Sequence, residues 1–123
     1  TLIYIHFYQQ PALGHNGYSC GSVSFCFKSV ASGKYWNLDL GKVFTINKIV
    51  MQGGRKPGHS PVGSRFMAGN SSNIRLNQQV GVITSYLGRL AFYEIPLTPP
   101  VQAQYVGILG GSQYILVCNF LVY

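Results

Sequence analysis

Apolar and polar residues alternate along Trp36, Asn37, Leu38, Asp39 and Leu40, the period of a pleated strand with one buried and one wetted face. Gly41-Lys42 then predicts a turn, and a second run follows in which Phe44, Ile46, Ile49 and Met51 are apolar while Thr45, Asn47 and Lys48 are polar. The phase of that run changes between Ile46 and Ile49, which predicts a bulge near Asn47 and Lys48. Further strands are expected at 2–8, at 66–68 ending on Gly69, at 80–84 and at 89–93. Residues 105–109 and 114–118 are expected to close the sheet as a pair about the Gly110-Gly111-Ser112 turn. Pro96, Pro99 and Pro100 argue against a central strand between 96 and 100 and leave a loop or an edge there. Pro11 and Gly14-His15-Asn16-Gly17 mark a polar turn near the start.

Fifteen Gly, six Pro, nine Tyr and seven Phe, with no stretch of strong helix formers at helical spacing, fit many short strands joined by turns. The expected fold is all-β, an antiparallel β-sandwich, with residues 1–123 as one domain large enough to bury a single core. No stretch reaches the roughly 20 apolar residues of a membrane-spanning helix. The opening run is too short for one, and it lacks the basic start and cleavage site of a signal peptide. If the protein is secreted, its leader has been removed.

Charge changes the picture of what the sandwich meets. Nine Lys and Arg stand against Asp39 and Glu94, a formal net charge of +7. Such a surface suits acidic glycans, an anionic surface or nucleic acid, or is simply a scattered positive exterior, since no basic run exceeds Arg55-Lys56. Nucleic acid is disfavoured because neither a groove-reading helix nor an aromatic-basic ribonucleoprotein motif is present. An enzyme is disfavoured too. The two carboxylates lie far apart in the chain, and His6, His15 and His59 stand near no obvious nucleophile and orienting acid.

Two local features carry candidate chemistry. The segment 52–65 is a long loop rich in Gly and Pro, of the kind that often holds binding residues, and it contains Arg55, His59 and Arg65. Asn70-Ser71-Ser72 is an acceptor sequon for N-glycosylation, at Asn70. Cys20, Cys26 and Cys118 are not at zinc-finger spacing, so a disulfide is favoured over a metal site or three reduced thiols.

The stretch Tyr35-Trp36-Asn37-Leu38-Asp39-Leu40-Gly41 through Ile46, Ile49 and Val50 resembles the "WW-x-VDLG-x-x-x-x-I-x-x-V" core of fucose-binding (F-type) lectins. That core is shared with the discoidin and coagulation-factor type C group. Gly69-Asn70-Ser71 is similar to the lectins' "IGNS", and Gln104-Tyr105-Val106-Gly107-Ile108 with Leu116-Val117-Cys118-Asn119-Phe120-Leu121-Val122-Tyr123 to their closing "RYV-x-I … L-x-L-C-E-V-x-V". The resemblance implies a jelly-roll sandwich of the galactose-binding-domain kind and a secreted location. It also implies a disulfide from Cys26 to Cys118, which leaves Cys20 as the odd thiol.

For the sugar site the resemblance implies Lys28 in place of the family's His, and Gly53 or Arg55 in place of its first arginine. An ungapped count puts Ser60 at the second arginine, with Arg65 nearby. Sugar, if bound, is expected at the loop end formed by Lys28 and 55–65, with Arg55 and Lys28 donating and Tyr35 or His59 stacking on the ring. Asn119 replaces the family's Glu and no Asp precedes Asp39, so calcium ligands are lost, and neither a metal nor another cofactor is expected. The function implied is an extracellular carbohydrate-binding module with an altered fucose site, its partners glycans or glycoproteins. The alternative is a structural module that uses the same sandwich for contacts within a homo- or hetero-oligomer.

Overall fold

A computed structural model describes residues 3–6, by backbone alone, together with 26–29 and 34–123. The expected turn at Gly14 to Gly17 and the thiol of Cys20 lie outside the described residues. The strands are β1 (Ile3–His6), β2 (Phe27–Lys28), β3 (Tyr35–Gly53), β4 (Arg65–Gly69), β5 (Gln78–Val82), β6 (Ala91–Leu109) and β7 (Leu116–Val122), with a short 3-10 turn at Ile74–Leu76. Every pairing is antiparallel, in the order β1-β7-β3-β6-β4-β5, and β2 adds to β7.

The organising unit is the ribbon of β3 and β6, each 19 residues long. Its register breaks twice, between Asp39 and Phe44 and between Ile46 and Lys48. The first break leaves four residues of β3 unmatched and the second leaves Leu97 to Pro100 of β6 unmatched, so the ribbon folds over at mid-length. The second break sits where the apolar phase of the sequence changed. The first half of β3 and the second half of β6 run beside β4 and β5; the other halves run beside β7 and β1. These two layers close on one core. Trp36 and Phe66 of one layer meet Phe120 of the other at ring-centroid distances of 4.9 and 6.3 Å, and Ile46, Ile49, Met51, Val106 and Ile108 are buried around them. The fold is an all-β antiparallel sandwich.

Three local expectations are corrected. Gly41-Lys42 does not close a hairpin. The Gly41 N–H donates to Asp39 Oδ1 at 2.8 Å, and the chain continues as the same strand, pairing with β6 on both sides of the bend. Gly41 has φ 88°, a conformation that favours glycine. Nor do the last two strands pair with each other, because β6 lies between β3 and β4 while β7 lies against β1, β2 and β3. The Gly110-Gly111 connection crosses between layers instead. The prolines do not end a strand: β6 runs through them, and Pro99 and Pro100 are accommodated because no β3 residue pairs there. Elsewhere the boundaries shift, with β5 ending at Val82 and residues 91–93 forming the start of β6.

Because the ribbon is folded, both ends of β3 come to one end of the sandwich. Tyr35 pairs with Leu109 there and Gly53 with Val117, while the bend and its prolines occupy the opposite end.

Candidate functional site at the open end of the ribbon

The loop 54–64 begins with a small hairpin. Arg55 N–H donates to the His59 carbonyl at 2.9 Å and the two residues form an antiparallel bridge, with Pro57 and Gly58 at the turn. Gly58 has φ 90° and nothing around it to contact a side chain, so the backbone conformation itself calls for glycine. Bridge partners project to the same face with their Cβ atoms about 5 Å apart, which brings the Arg55 and His59 side chains together.

Strand β7 positions the third basic side chain, Lys28 of β2. At Leu116 it pairs with Lys28 on one side and accepts the Gly54 N–H at 3.0 Å on the other. Lys28 is held in place by its neighbours: the Ser29 N–H donates to the Ile115 carbonyl at 3.0 Å, and Ser29 Oγ accepts the Ile115 N–H at 2.9 Å. Two residues before it, Cys26 is joined to Cys118 by a disulfide, packed with Leu116 and Leu90.

The β6–β7 connection leans on the same hairpin. The Tyr114 N–H donates to the Gly58 carbonyl at 3.1 Å, and the Tyr114 ring stands edge-on to His59 at 5.6 Å with 43% of its surface exposed. Gln113 Oε1 accepts the Ser60 N–H at 3.1 Å. Beside the hairpin runs an open groove of about 370 Å³, lined among others by Lys56, Gly58, Ser60 and Gln113. A larger groove of about 500 Å³ lies at the bend, between Gln78 and Gln79 of β5 and the prolines of β6; none of its lining residues is charged.

The electrostatics of the cluster are one-sided. Burial first, and then the positive charges of Arg55 and Lys28, hold the His59 imidazole below its ordinary value. Among the described residues, Arg55 Nε and His59 Nδ1 are buried without a hydrogen-bond partner. Both acids of the chain are elsewhere. Asp39 sits at the bend, where the Gly41 N–H first, then Gln104 and, least, Tyr105 keep its carboxyl below the ordinary value against an opposing effect of burial. Glu94 pairs with Lys48 at 3.1 Å.

Of the residues singled out in the sequence, Lys28, Arg55 and His59 are thus gathered on one loop end. Tyr35 and Arg65 lie at the same end on the β3, β6 and β4 strands, on either side of Leu109. Both are exposed, and the Tyr35 ring carries the Arg75 guanidinium at 5.4 Å. Tyr114 was not singled out, because it reads as one more apolar residue of a closing strand; its place just before that strand, after two glycines and two polar residues, was the available signal. Asn119, where the lectins have Glu, is buried and donates from Nδ2 to Gln52 Oε1. Among the described residues no three His, Cys, Asp or Glu side chains group as metal ligands.

No protein-family model and no curated protein matches the chain by sequence. Solved structures do. A fucolectin (F-lectin) from the serum of striped bass, Morone saxatilis, superposes with a TM-score of 0.70 at 26% identity, over 80% of this chain and 36% of that one. The chain therefore spans about a third of that lectin's length. A carbohydrate-binding module, CBM32-1, from a family 31 glycoside hydrolase of Clostridium perfringens gives 0.69 at 18% identity, over 84% and 79% of the two chains. CBM62 from Clostridium thermocellum Xyl5A gives 0.66 at 19%, over 88% and 81%. The chain is a β-sandwich of the discoidin-like, galactose-binding-domain class. Its fold is similar to that of the fucolectin and of the carbohydrate-binding modules. The neighbours are binding modules rather than catalytic domains, and among the described residues no helix is long and apolar enough to cross a membrane.

Proposed function

We propose that the chain is a non-catalytic carbohydrate-binding module acting outside the cell, with a sugar site altered from that of the fucose lectins. The observation that carries this reading is the meeting of Lys28, Arg55 and His59 beside the exposed Tyr114 ring at the loop end of a lectin-like sandwich. Guanidinium and ammonium groups donate to sugar oxygens in directions fixed by the hairpin, and an aromatic face packs against the C–H face of a pyranose. Lys28 and Arg55 are the donors in this reading, His59 and Tyr114 the ring contacts, and Arg65 and Tyr35 the outer wall.

The test is a glycan array probed with the purified chain, with and without calcium, followed by titration of the best ligand. Binding that survives calcium removal and is lost in Arg55→Ala, with the fold intact by circular dichroism, is the expected result. Unchanged affinity in Arg55→Ala would move the site elsewhere. The assembly reading has its own observation, the exposure of Leu76, Leu87 and Phe92, at 74%, 62% and 56%. It predicts a concentration-dependent mass in light scattering and an empty array.

An extracellular route makes Asn70 a glycan acceptor. Asn70 is exposed on the turn after β4, and its Oδ1 accepts the Gln104 N–H at 3.2 Å, which leaves Nδ2 as the free end of the amide. Expressed through a secretory pathway, the chain is expected to lose mass on enzymatic deglycosylation, and Asn70→Gln to show no such shift. A single unmodified mass from that host would refute occupancy.

A further inference from the structure

We propose that the cluster of Lys28, Arg55 and His59 takes a sugar that carries a negative group, a uronate carboxylate or a sulfate ester. This rests on the carbohydrate-binding reading and names the ligand class for the same site.

A neutral sugar presents hydroxyls that donate as well as accept, so a site for it needs acceptors facing the donors. The chain has two carboxylates, and both are committed away from the cluster, Asp39 at the bend and Glu94 to Lys48. Two side-chain oxygens lining the groove beside the hairpin are already engaged: Gln113 Oε1 accepts the Ser60 N–H, and Ser60 Oγ accepts the Val62 N–H at 3.4 Å. An anionic group offers acceptors alone, and its hydrogen bonds to cations are stronger than neutral ones.

What the site contains points the same way. Arg55 and His59 share one face of a five-residue hairpin, and Lys28 comes from β2 across Leu116. The two cations, Arg55 and Lys28, both act on His59 and hold its imidazole neutral, and no counter-charge among the described residues sits between them. The buried Arg55 Nε, without a hydrogen-bond partner, adds part of a charge that nothing in the described residues compensates. Tyr114, edge-on to His59 and 43% exposed, supplies the ring contact that separates a saccharide from a free anion.

A pH dependence follows, with a definite sign. The groups facing His59 are Arg55 from its own hairpin, Lys28 from β2 and the Tyr114 ring from the β6–β7 connection. In the free chain these cations and burial keep the imidazole neutral down to a lower pH than usual. A bound anion favours the protonated imidazole, so binding takes up a proton and affinity rises as pH falls through the histidine range.

The experiment is calorimetric titration of the full chain with trigalacturonate, with its fully methyl-esterified form, and with a sulfated galactose disaccharide. At least one anionic probe is expected to bind about tenfold or more tightly than the neutral ester. The uronate and sulfate arms show which anion the site prefers. Affinity for that probe should rise between about pH 7.5 and 5.5, and His59→Gln should remove the rise. Arg55→Gln should lower affinity by about tenfold or more, and Arg55→Lys, which keeps the charge but loses the fork, by a smaller factor. Lys42→Gln, at the bend, should change it by less than about twofold. A loss in Lys42→Gln equal to that in Arg55→Gln would mean diffuse attraction and overturn the proposal. Equal affinity for acid and ester would overturn it too, while leaving the carbohydrate reading standing. An array empty of every neutral and acidic glycan would remove that reading itself.

Discussion

Phe120→Ala is expected to lower the free energy of unfolding by about 3–5 kcal/mol, the range for emptying a buried aromatic site. Phe120 has no exposed surface and joins the two layers, edge-on to Trp36 at 4.9 Å and tilted against Phe66 at 6.3 Å. It lies opposite Met51 on β3 and Ile5 on β1, so its backbone is fixed by pairing on both sides and cannot move to fill the gap. A domain of this size has about 5–15 kcal/mol in all, so the variant is expected near the edge of stability. Urea unfolding checks this. The midpoint should fall steeply with an unchanged slope, whereas Val62→Ala, on a side chain 37% exposed, should stay within about 0.5 kcal/mol of the parent. A loss below about 1 kcal/mol at Phe120 would show that the two layers do not depend on this contact.

The strands around that core were legible because alternation is a local signal. Trp36, Leu38 and Leu40 face inward to different degrees while Asp39 is exposed, and the slip of phase after Ile46 marks a real break in register. What was not legible is how the pieces pair. Gly41-Lys42 has the composition of a hairpin turn, yet no residue of 35–40 pairs with 44–53, because both stretches have a better partner in β6. Those partners are 38 to 74 positions away, from Gly53↔Ala91 to Tyr35↔Leu109, beyond any local window of sequence. The same holds for residues 105–109 and 114–118, adjacent in the chain but in different layers. The prolines misled for a related reason: Pro99 and Pro100 fall at the bend, where pairing is not required, and Pro96 sits at its edge as the last partner before the break, opposite Lys48.

The site divides along the same line. Arg55 and His59 could be read together because one short turn joins them, and Lys28 came from family resemblance. Tyr114 is brought in by a single hydrogen bond to Gly58 across 56 positions, a contact without a sequence signature. The shortage of carboxylates was visible at once. Its meaning for the ligand needed the structure, which shows both acids occupied away from the cationic end.

Replacing both Cys26 and Cys118 by Ala is expected to cost about 2–4 kcal/mol and to loosen one side of the site before it loosens the sandwich. The bond closes a loop of 92 residues, and chain entropy alone favours cross-linking so long a loop by about 4–5 kcal/mol. Its place in the fold adds a local consequence. Strand β2 has two paired residues, Phe27 and Lys28, and beyond them the two hydrogen bonds between Ser29 and Ile115. So short an edge strand is held mainly by the covalent tether that precedes it. In the double variant, the Ser29 amide is therefore expected to exchange with solvent far faster than the amides of Ile49 and Met51, which pair within the central ribbon. Affinity for the charged sugar should fall with it, since Lys28 moves with β2, while binding contributed by Arg55 and His59 persists. Uniform loss of protection across Ser29, Ile49 and Met51 would show instead that the disulfide stabilises only the global fold. Unchanged protection everywhere would show that pairing with β7 is sufficient to hold Lys28 at the site.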